Sequence, residues 1–254
     1  MKKHHKQRNI FLEIEYLGTN YFGFQIQNKK NSKEITVQEA LEKAIRKIFK
    51  ENIKLIYSSR TDRGVHAKAQ AVNFTTSSSI PLKNIKPALN AMLACDIRVK
   101  RVKEVPLDFH ARFQASSKIY RYLIFQAKEP SVFVKDFSWH IEQPLDIERM
   151  KKAAKKIIGK KDFSRFAKEP DKYASCVRQI IDIHIYKKSE FIYLDIEATG
   201  FLRNMARNIV SFLVELGRGR ILLKDVSKIM KNDAGYHNFP APAQGLCLLK
   251  VNYS

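Results

Sequence analysis

A single carboxylate stands between two guanidinium groups in the run Ser58-Ser59-Arg60-Thr61-Asp62-Arg63-Gly64-Val65-His66-Ala67. Arg60 and Arg63 flank Asp62, Gly64 follows, and an apolar stretch from Ile53 to Tyr57 leads in. Nearby positive charge favours the ionised form of a carboxyl group. An anionic aspartate in a basic site is a candidate nucleophile rather than a general acid. A bare Arg-x-Asp loop is more often a surface ion pair of little energetic weight. The loop alone therefore marks a candidate and no more.

Other residues compete for a chemical role. His66, four residues after Asp62, suggests an acid–base couple, but no Ser or Cys nucleophile completes a triad. The seven histidines show neither H-x-x-x-H nor H-E-x-x-H spacing, and Asp62 has no carboxylate two positions away. A two-metal phosphodiesterase needs clustered carboxylates, so no metal site is expected. Tyr120 and Tyr122 alternate with Ile119 and Arg121. They read either as amphipathic sheet residues or as a flat ring beside a basic groove, able to stack on an everted base. Arg203 and Arg207 are four apart in the run from Phe201 to Leu216, which reads as a helix. They would share one helix face, with solvent, Asp62 or an RNA phosphate as partner. Phe201, Met205, Ile209 and Phe212 would lie on the other flanks as core.

Composition sets the class. The chain has 254 residues, 44% of them hydrophobic, enough for one large domain or two moderate ones with a real core. It carries 47 Lys and Arg against 25 Asp and Glu, a net charge of +22. Such an excess opposes compaction and implies a polyanionic partner, with nucleic acid the default; a general lysine bias accounts for part of the magnitude. Cys95, Cys176 and Cys247 are far apart, match neither a disulfide framework nor a zinc site, and fit a reducing, cytoplasmic compartment. No apolar run approaches membrane-spanning length, so no membrane association is expected. The basic start, residues 1–8, precedes an alternating pattern rather than a signal-peptide core, and reads as a short disordered arm.

The elements that must position these residues follow from periodicity. Residues 10–16 alternate as a half-buried strand and end in Gly18-Thr19-Asn20 turn chemistry. Thr36-Val37-Gln38-Glu39 is a capping box. It opens a helix with Val37, Leu41, Ala44, Ile45 and Ile48 on one face. Strands at 53–57 and 69–75 enclose the Asp62 loop; a helix near 82–93 and a strand at 97–105 complete a β-α-β-β-α-β outline. The second half repeats the plan. A strand spans 118–125, and Asp146 caps a helix carrying Met150, Ala153, Ala154, Ile157 and Ile158. Strands at 180–186 and 191–198 surround Lys187-Lys188-Ser189 as a hairpin. A helix at 201–216 is ended by Gly217, and a shorter helix at 225–231 and a strand at 246–253 follow. The fold class is α+β: an N-terminal subdomain at 9–106 carrying the Asp62 loop and a similar C-terminal one at 107–254. They are expected to share an antiparallel sheet flanked by helices, with a basic cleft between them.

Six segments, in order, resemble the TruA-type tRNA pseudouridine synthases. They are Tyr16-x-Gly18-x-x-Tyr21-x-Gly23-Phe24-Gln25-x-Gln27, Arg60-Thr61-Asp62-x-Gly64-Val65-His66-Ala67, Phe109-His110-Ala111-Arg112-Phe113 with Lys118-x-Tyr120-Arg121-Tyr122, Asp162-Phe163-x-x-Phe166, Phe201-Leu202-Arg203-x-Met205-x-Arg207-Asn208, and Gly245-Leu246-x-Leu248. Phe24 stands where the family commonly has Trp. Ser58 and Ser59 precede Arg60 where the family usually has small residues with a glycine.

The resemblance implies a pseudouridine-synthase-like fold and isomerisation of uridine to pseudouridine without a cofactor. It implies Asp62 as the nucleophile, attacking C6 of uracil or C1′ of the ribose, or abstracting a sugar proton. Tyr120 would contact the target uracil, Tyr122 would be structural, and one of Arg203 and Arg207, Arg207 being favoured, would pair with Asp62. Arg60, Arg203 and Gln25 would join Tyr120 in binding RNA. The implied substrate is the tRNA anticodon stem-loop at positions 38, 39 and 40, and the implied assembly a homodimer. The competing class is a non-catalytic RNA-binding protein, which would have no need of a phosphate-repelling carboxylate at Asp62.

Overall fold

The computed structural model describes residues 6–27, 35–231 and 238–253. The first five residues of the expected basic arm lie outside these. Arg8, expected in that arm, opens the first strand and pairs with Glu104 at 2.9 Å. The chain forms two compact units, residues 1–116 with 248–254, and residues 117–247. Pro106 and Phe109 accept hydrogen bonds from Asn9 and Asn73 of the first unit's strands, and the end of the last strand counts with the first unit.

In the first unit, β1 (Arg8–Tyr16) lies between β3 (His66–Thr76) and β4 (Ile97–Val105), antiparallel to both. The two-residue β2 (Ile56–Tyr57) pairs with β3. Only these two residues of the expected 53–57 strand pair, whereas β3 starts three residues earlier than its alternation indicates. Two helices accompany the sheet, α1 (Val37–Phe49) and α2 (Leu82–Met92). The capping box forms as read: Thr36 Oγ1 accepts from Glu39 N, and Glu39 Oε2 accepts from Thr36 N at 2.7 Å. These bonds satisfy helix-start donors that would otherwise be orphaned. The apolar stripe of α1 is buried at Val37, Leu41, Ala44, Ile45 and Phe49, and Phe49 meets Phe74 of β3 edge-on at 5.2 Å.

In the second unit, β5 (Ala115–Phe125, beginning in the first unit) pairs antiparallel with β9 (Phe191–Ala198), which pairs with β8 (Val177–Lys188). Two short strands extend this sheet: β6 (Trp139–His140) lies parallel to β5, and β7 (Gly159–Asp162) is antiparallel to β8. The helices are α3 (Ile147–Ile157), α4 (Met205–Gly217) and α5 (Val226–Met230). The hairpin forms with its tip at Ser189-Glu190. Lys187 and Lys188 pair with Ile192 and Phe191, and Ser189 takes the left-handed conformation (φ 52°). Asp146 caps α3 by accepting from Arg149 N. Gly217 lies inside α4 rather than beyond it. A Cβ there would sit 2.9 Å from Met150 Sδ, so the glycine serves the close approach of α3 to α4. The last strand, β10 (Leu246–Tyr253), closes the chain.

Across β5, β9 and β8 one face is apolar and buried: Tyr120, Tyr122 and Ile124 stand opposite Ile196, Leu194 and Ile192, and Ile196 and Leu194 face Ile183 and Ile185 of β8; the face ends at the exposed Lys187, opposite Ile192. Among the described residues no helix is long and apolar enough to cross a membrane.

Candidate active site

The Asp62 loop is held from both sides by residues distant in sequence. On its entry side, Ser58 N donates to Ala71 O at 2.9 Å. The fully buried Gln70 side chain accepts from Ser58 Oγ (2.7 Å) and Ser59 N (3.2 Å) and donates to Ser59 O (2.7 Å). The two serines that stand in place of a glycine-containing turn are thus buried hydrogen-bonding partners. One residue before Asp62, Thr61 Oγ1 meets the Tyr16 hydroxyl at 2.8 Å in a buried contact, and Thr61 O accepts from Phe24 N at 3.1 Å.

Two glycines let the first motif approach so closely. Gly23 has φ +79°, and a Cβ on it would lie 2.8 Å from Thr61 O and 3.3 Å from Asp62 C. A Cβ on Gly18 would lie 2.1 Å from Val65 O. Beyond Asp62, Val65 N donates to Asp62 O at 3.1 Å, with Gly64 at φ +78° between them. His66 is buried, and its Nδ1 accepts from Gly18 N at 3.0 Å. That bond requires an unprotonated Nδ1 and ties His66 to the first motif.

Asp62 itself is half-buried, while Arg60 and Arg63 are exposed. The Arg63 guanidinium lies 5.4 Å from the centre of the Phe22 ring, a cation–π contact that draws it along the same first-motif segment. Gln25 is half-buried and directly follows Phe24, whose N–H holds Thr61. Asp62, Arg60 and Gln25 therefore belong to one braced region of the first unit. Tyr16, Gly18 and Gly23 fall in the first motif and Gln70 in none, and no local pattern gives any of them this task. The available signal was the paired glycines spaced through an aromatic segment.

The other candidates belong to the second unit. Tyr120 is 6% exposed on β5, and its ring meets Phe201 edge-on at 4.9 Å. Tyr122 is fully buried and donates to Pro242 O at 2.8 Å. A Cβ on Gly245 would lie 2.4 Å from Tyr122 Cζ, so the last motif's glycine makes room for this ring. Burial pushes the Tyr122 phenol well above its ordinary range, with the Arg207 charge acting in the opposite direction. Arg121, on the other face of β5, forms a bidentate pair with Asp195 at 2.7 Å on both arms.

Arg207 is half-buried in the first turn of α4. Its Nε donates to Ala241 O at 2.6 Å, and Ala241 N donates back to Arg207 O at 3.2 Å. Arg203 does not share its helix face, contrary to the expected helix over 201–216. Asn204 adopts a left-handed conformation (φ 62°), and α4 starts at Met205. Arg203 thus lies in the preceding turn, where it is exposed and pairs with Glu169 at 2.9 Å. The i, i+4 relationship assumed for the two arginines is absent.

The three cysteines are free, and no group of three or more His, Cys, Asp or Glu among the described residues could hold a metal ion.

A family model described as tRNA pseudouridine synthase matches residues 13–114 and 153–254. The chain belongs to the tRNA pseudouridine synthase family. The first matched segment lies within the first unit and contains the braced Asp62 loop; the second covers most of the second unit, including α4 with Arg207, and runs on through the end of β10. Similar proteins include tRNA pseudouridine synthase A of Thermoanaerobacter sp. (strain X514), 44% identical over 97% of this chain and 100% of its own length. At 42% identity and the same coverages stand tRNA pseudouridine synthase A 2 of Clostridium perfringens and tRNA pseudouridine synthase A of Acetivibrio thermocellus. Membership in a tRNA pseudouridine synthase family makes this chain an isomerase by class.

Proposed function

We propose that this protein converts uridine to pseudouridine at positions 38, 39 and 40 of the tRNA anticodon stem-loop, with Asp62 as the nucleophile and no cofactor. The observation that carries the reading is the rigid presentation of one half-buried carboxylate: the backbone is clamped at Thr61 and closed by a turn at Val65, and Asp62 stands between. A group held this way meets its target without a reorganisation cost at the moment of reaction.

The reaction breaks the C1′–N1 bond and forms a C1′–C5 bond. N1 gains a proton, C5 loses one, and nothing is oxidised or reduced. Attack by Asp62 on C6 or C1′, or removal of a sugar proton, would each loosen the glycosidic bond. Tyr120 contacts the uracil while it turns and offers a hydroxyl for the proton leaving C5. Arg207 pairs with the Asp62 carboxylate, and Arg60, Arg203 and Gln25 bind RNA. In this reading the two subdomains share a sheet with a basic cleft between them, and a flipped-out base enters that cleft. The net charge of +22 supports a polyanionic substrate. The working assembly is a cytoplasmic homodimer.

Incubation of the purified protein with unmodified tRNA, followed by mapping of pseudouridine at single-nucleotide resolution, tests the proposal. New pseudouridine at positions 38–40 is the expected result. Modification elsewhere in tRNA would overturn the assigned positions, and none at all would overturn the function.

A further inference from the structure

The loop between β4 and β5 is far more firmly built than a connection requires. Two buried asparagines of the first unit's sheet hold it. Asn9 Nδ2 donates to the carbonyls of Pro106 (2.9 Å) and Phe109 (3.0 Å). Asn73 donates to Phe109 O (3.1 Å) and to Asn9 Oδ1 (3.0 Å), and its own Oδ1 accepts from Ala111 N (2.9 Å). The Tyr253 hydroxyl donates to Ala111 O at 2.8 Å. The Phe109 ring is wedged between Phe11 (5.8 Å) and Tyr253 (5.2 Å).

This anchored loop carries a large apolar ring out into water. Phe113 is 75% exposed. His110 Nδ1 accepts from the backbone N–H groups of Arg112 (3.2 Å) and Phe113 (3.3 Å), which fixes the turn. The His110 ring lies against Phe113 at 4.2 Å with 31° between planes, and the Arg112 guanidinium is 5.5 Å from the Phe113 centroid. One exposed phenylalanine is ordinary. A phenylalanine held out by a hydrogen-bonded turn, backed by an imidazole and accompanied by a guanidinium, has the parts of a base-stacking platform: a flat ring, a second π system behind it and a cation for the adjoining phosphate.

We propose that Phe113, backed by His110 and accompanied by Arg112, is a stacking platform for an unpaired base of the bound RNA. The inference rests on the tRNA reading above and adds to it a contact made by a residue outside the chemistry. Stacking is indifferent to base identity, so the platform holds an exposed nucleotide in place without reading its sequence. The rigid anchoring has an energetic use, because an aromatic already fixed in its bound pose loses little conformational freedom when a base lands on it.

Equilibrium binding of unmodified tRNA to wild type, Phe113→Ala, Phe113→Leu, Phe113→Trp and Arg112→Ala, across a salt series, tests this. Loss of one stacked base corresponds to about a fivefold to 150-fold weaker Kd. Phe113→Ala is expected to weaken binding by that factor at every salt concentration, leaving the slope of log Kd against log salt unchanged. Arg112→Ala is expected to reduce that slope by about one phosphate. Phe113→Leu should bind as weakly as Phe113→Ala, whereas Phe113→Trp should retain affinity and show indole emission quenched on addition of tRNA. Melting temperatures should stay near wild type, since the ring is outside the core. Wild-type affinity in Phe113→Ala or in Phe113→Leu would overturn the platform. A wild-type chain that neither binds nor modifies tRNA would overturn the substrate reading, and the platform with it.

Discussion

The Tyr16 hydroxyl and Thr61 Oγ1 share a buried contact of 2.8 Å, one residue before Asp62. It ties the end of β1 to the loop that presents the carboxylate, across 45 residues of sequence. Tyr16→Phe keeps the ring and removes the hydroxyl. A buried hydrogen bond of this kind contributes about 1 kcal/mol, so a small drop in melting temperature is expected. Turnover should fall by more than the loss of folded protein, while tRNA affinity stays near wild type. Calorimetry, single-turnover kinetics and RNA binding on the same preparation separate these effects.

Gly23→Ala probes the same brace from the opposite side. The position has φ +79°, and the new Cβ would lie 2.8 Å from the Thr61 carbonyl oxygen, which is backbone. The left-handed conformation alone costs a non-glycine residue about 1–2 kcal/mol, and the clash displaces the residue next to Asp62. Pseudouridine formation is expected to fall sharply in protein that remains folded by circular dichroism. A fully active Gly23→Ala protein would show that the loop tolerates displacement.

Alkaline pH should destabilise the fold through its buried tyrosines. Burial raises the phenols of Tyr21, Tyr122 and Tyr253 above their ordinary value of 10.0; a hydrogen bond from Tyr21 to Asp96 (2.5 Å) adds to the effect there. A group whose folded pKa is raised contributes stability that is complete below the unfolded value and is lost as pH rises beyond it. These groups should leave stability flat with pH through neutrality and lower it above about pH 10. Denaturant midpoints in a pH series check this. Tyr122→Phe removes one titrating group and should shallow the alkaline decline.

Tyr120 requires a conservative test because its ring is nearly buried against Phe201. Truncation of a buried aromatic to alanine costs about 3–5 kcal/mol, so Tyr120→Ala would confuse folding with chemistry. Tyr120→Phe keeps the packing. If the hydroxyl carries the C5 proton, this variant binds tRNA normally and turns over slowly. Wild-type turnover in Tyr120→Phe would remove the hydroxyl from the chemistry.

Much of this frame is written locally. The capping box at Thr36–Glu39 and the apolar stripe of α1 are short-range signals; the box forms as read, and the stripe does so except at its end, where Phe49 is buried and Ile48 only half-buried. The alternation at 191–198 sits on β9 itself. What periodicity cannot carry is contact between distant segments. The grip of Tyr16, Gly18 and Gly23 on residues 61–66 joins residues more than thirty apart, and no repeat encodes it. Arg203 was misplaced for a local reason. The apolar spacing continues upstream of Met205, but Asn204 turns left-handed and stops the helix there. The two-residue β6 and four-residue β7 are too short to show a period. Asp62 stands out as a candidate because charge and motif coincide in ten residues, while the glycines that brace its loop carry no such local mark.

The most direct test of the account is pseudouridine formation by Asp62→Asn. The substitution preserves size and removes the charge. Since a carboxylate repels phosphate, tRNA affinity should hold or tighten, while pseudouridine at positions 38–40 disappears. Turnover within about tenfold of wild type, roughly 1.4 kcal/mol of barrier, would contradict the assignment of Asp62 as the nucleophile.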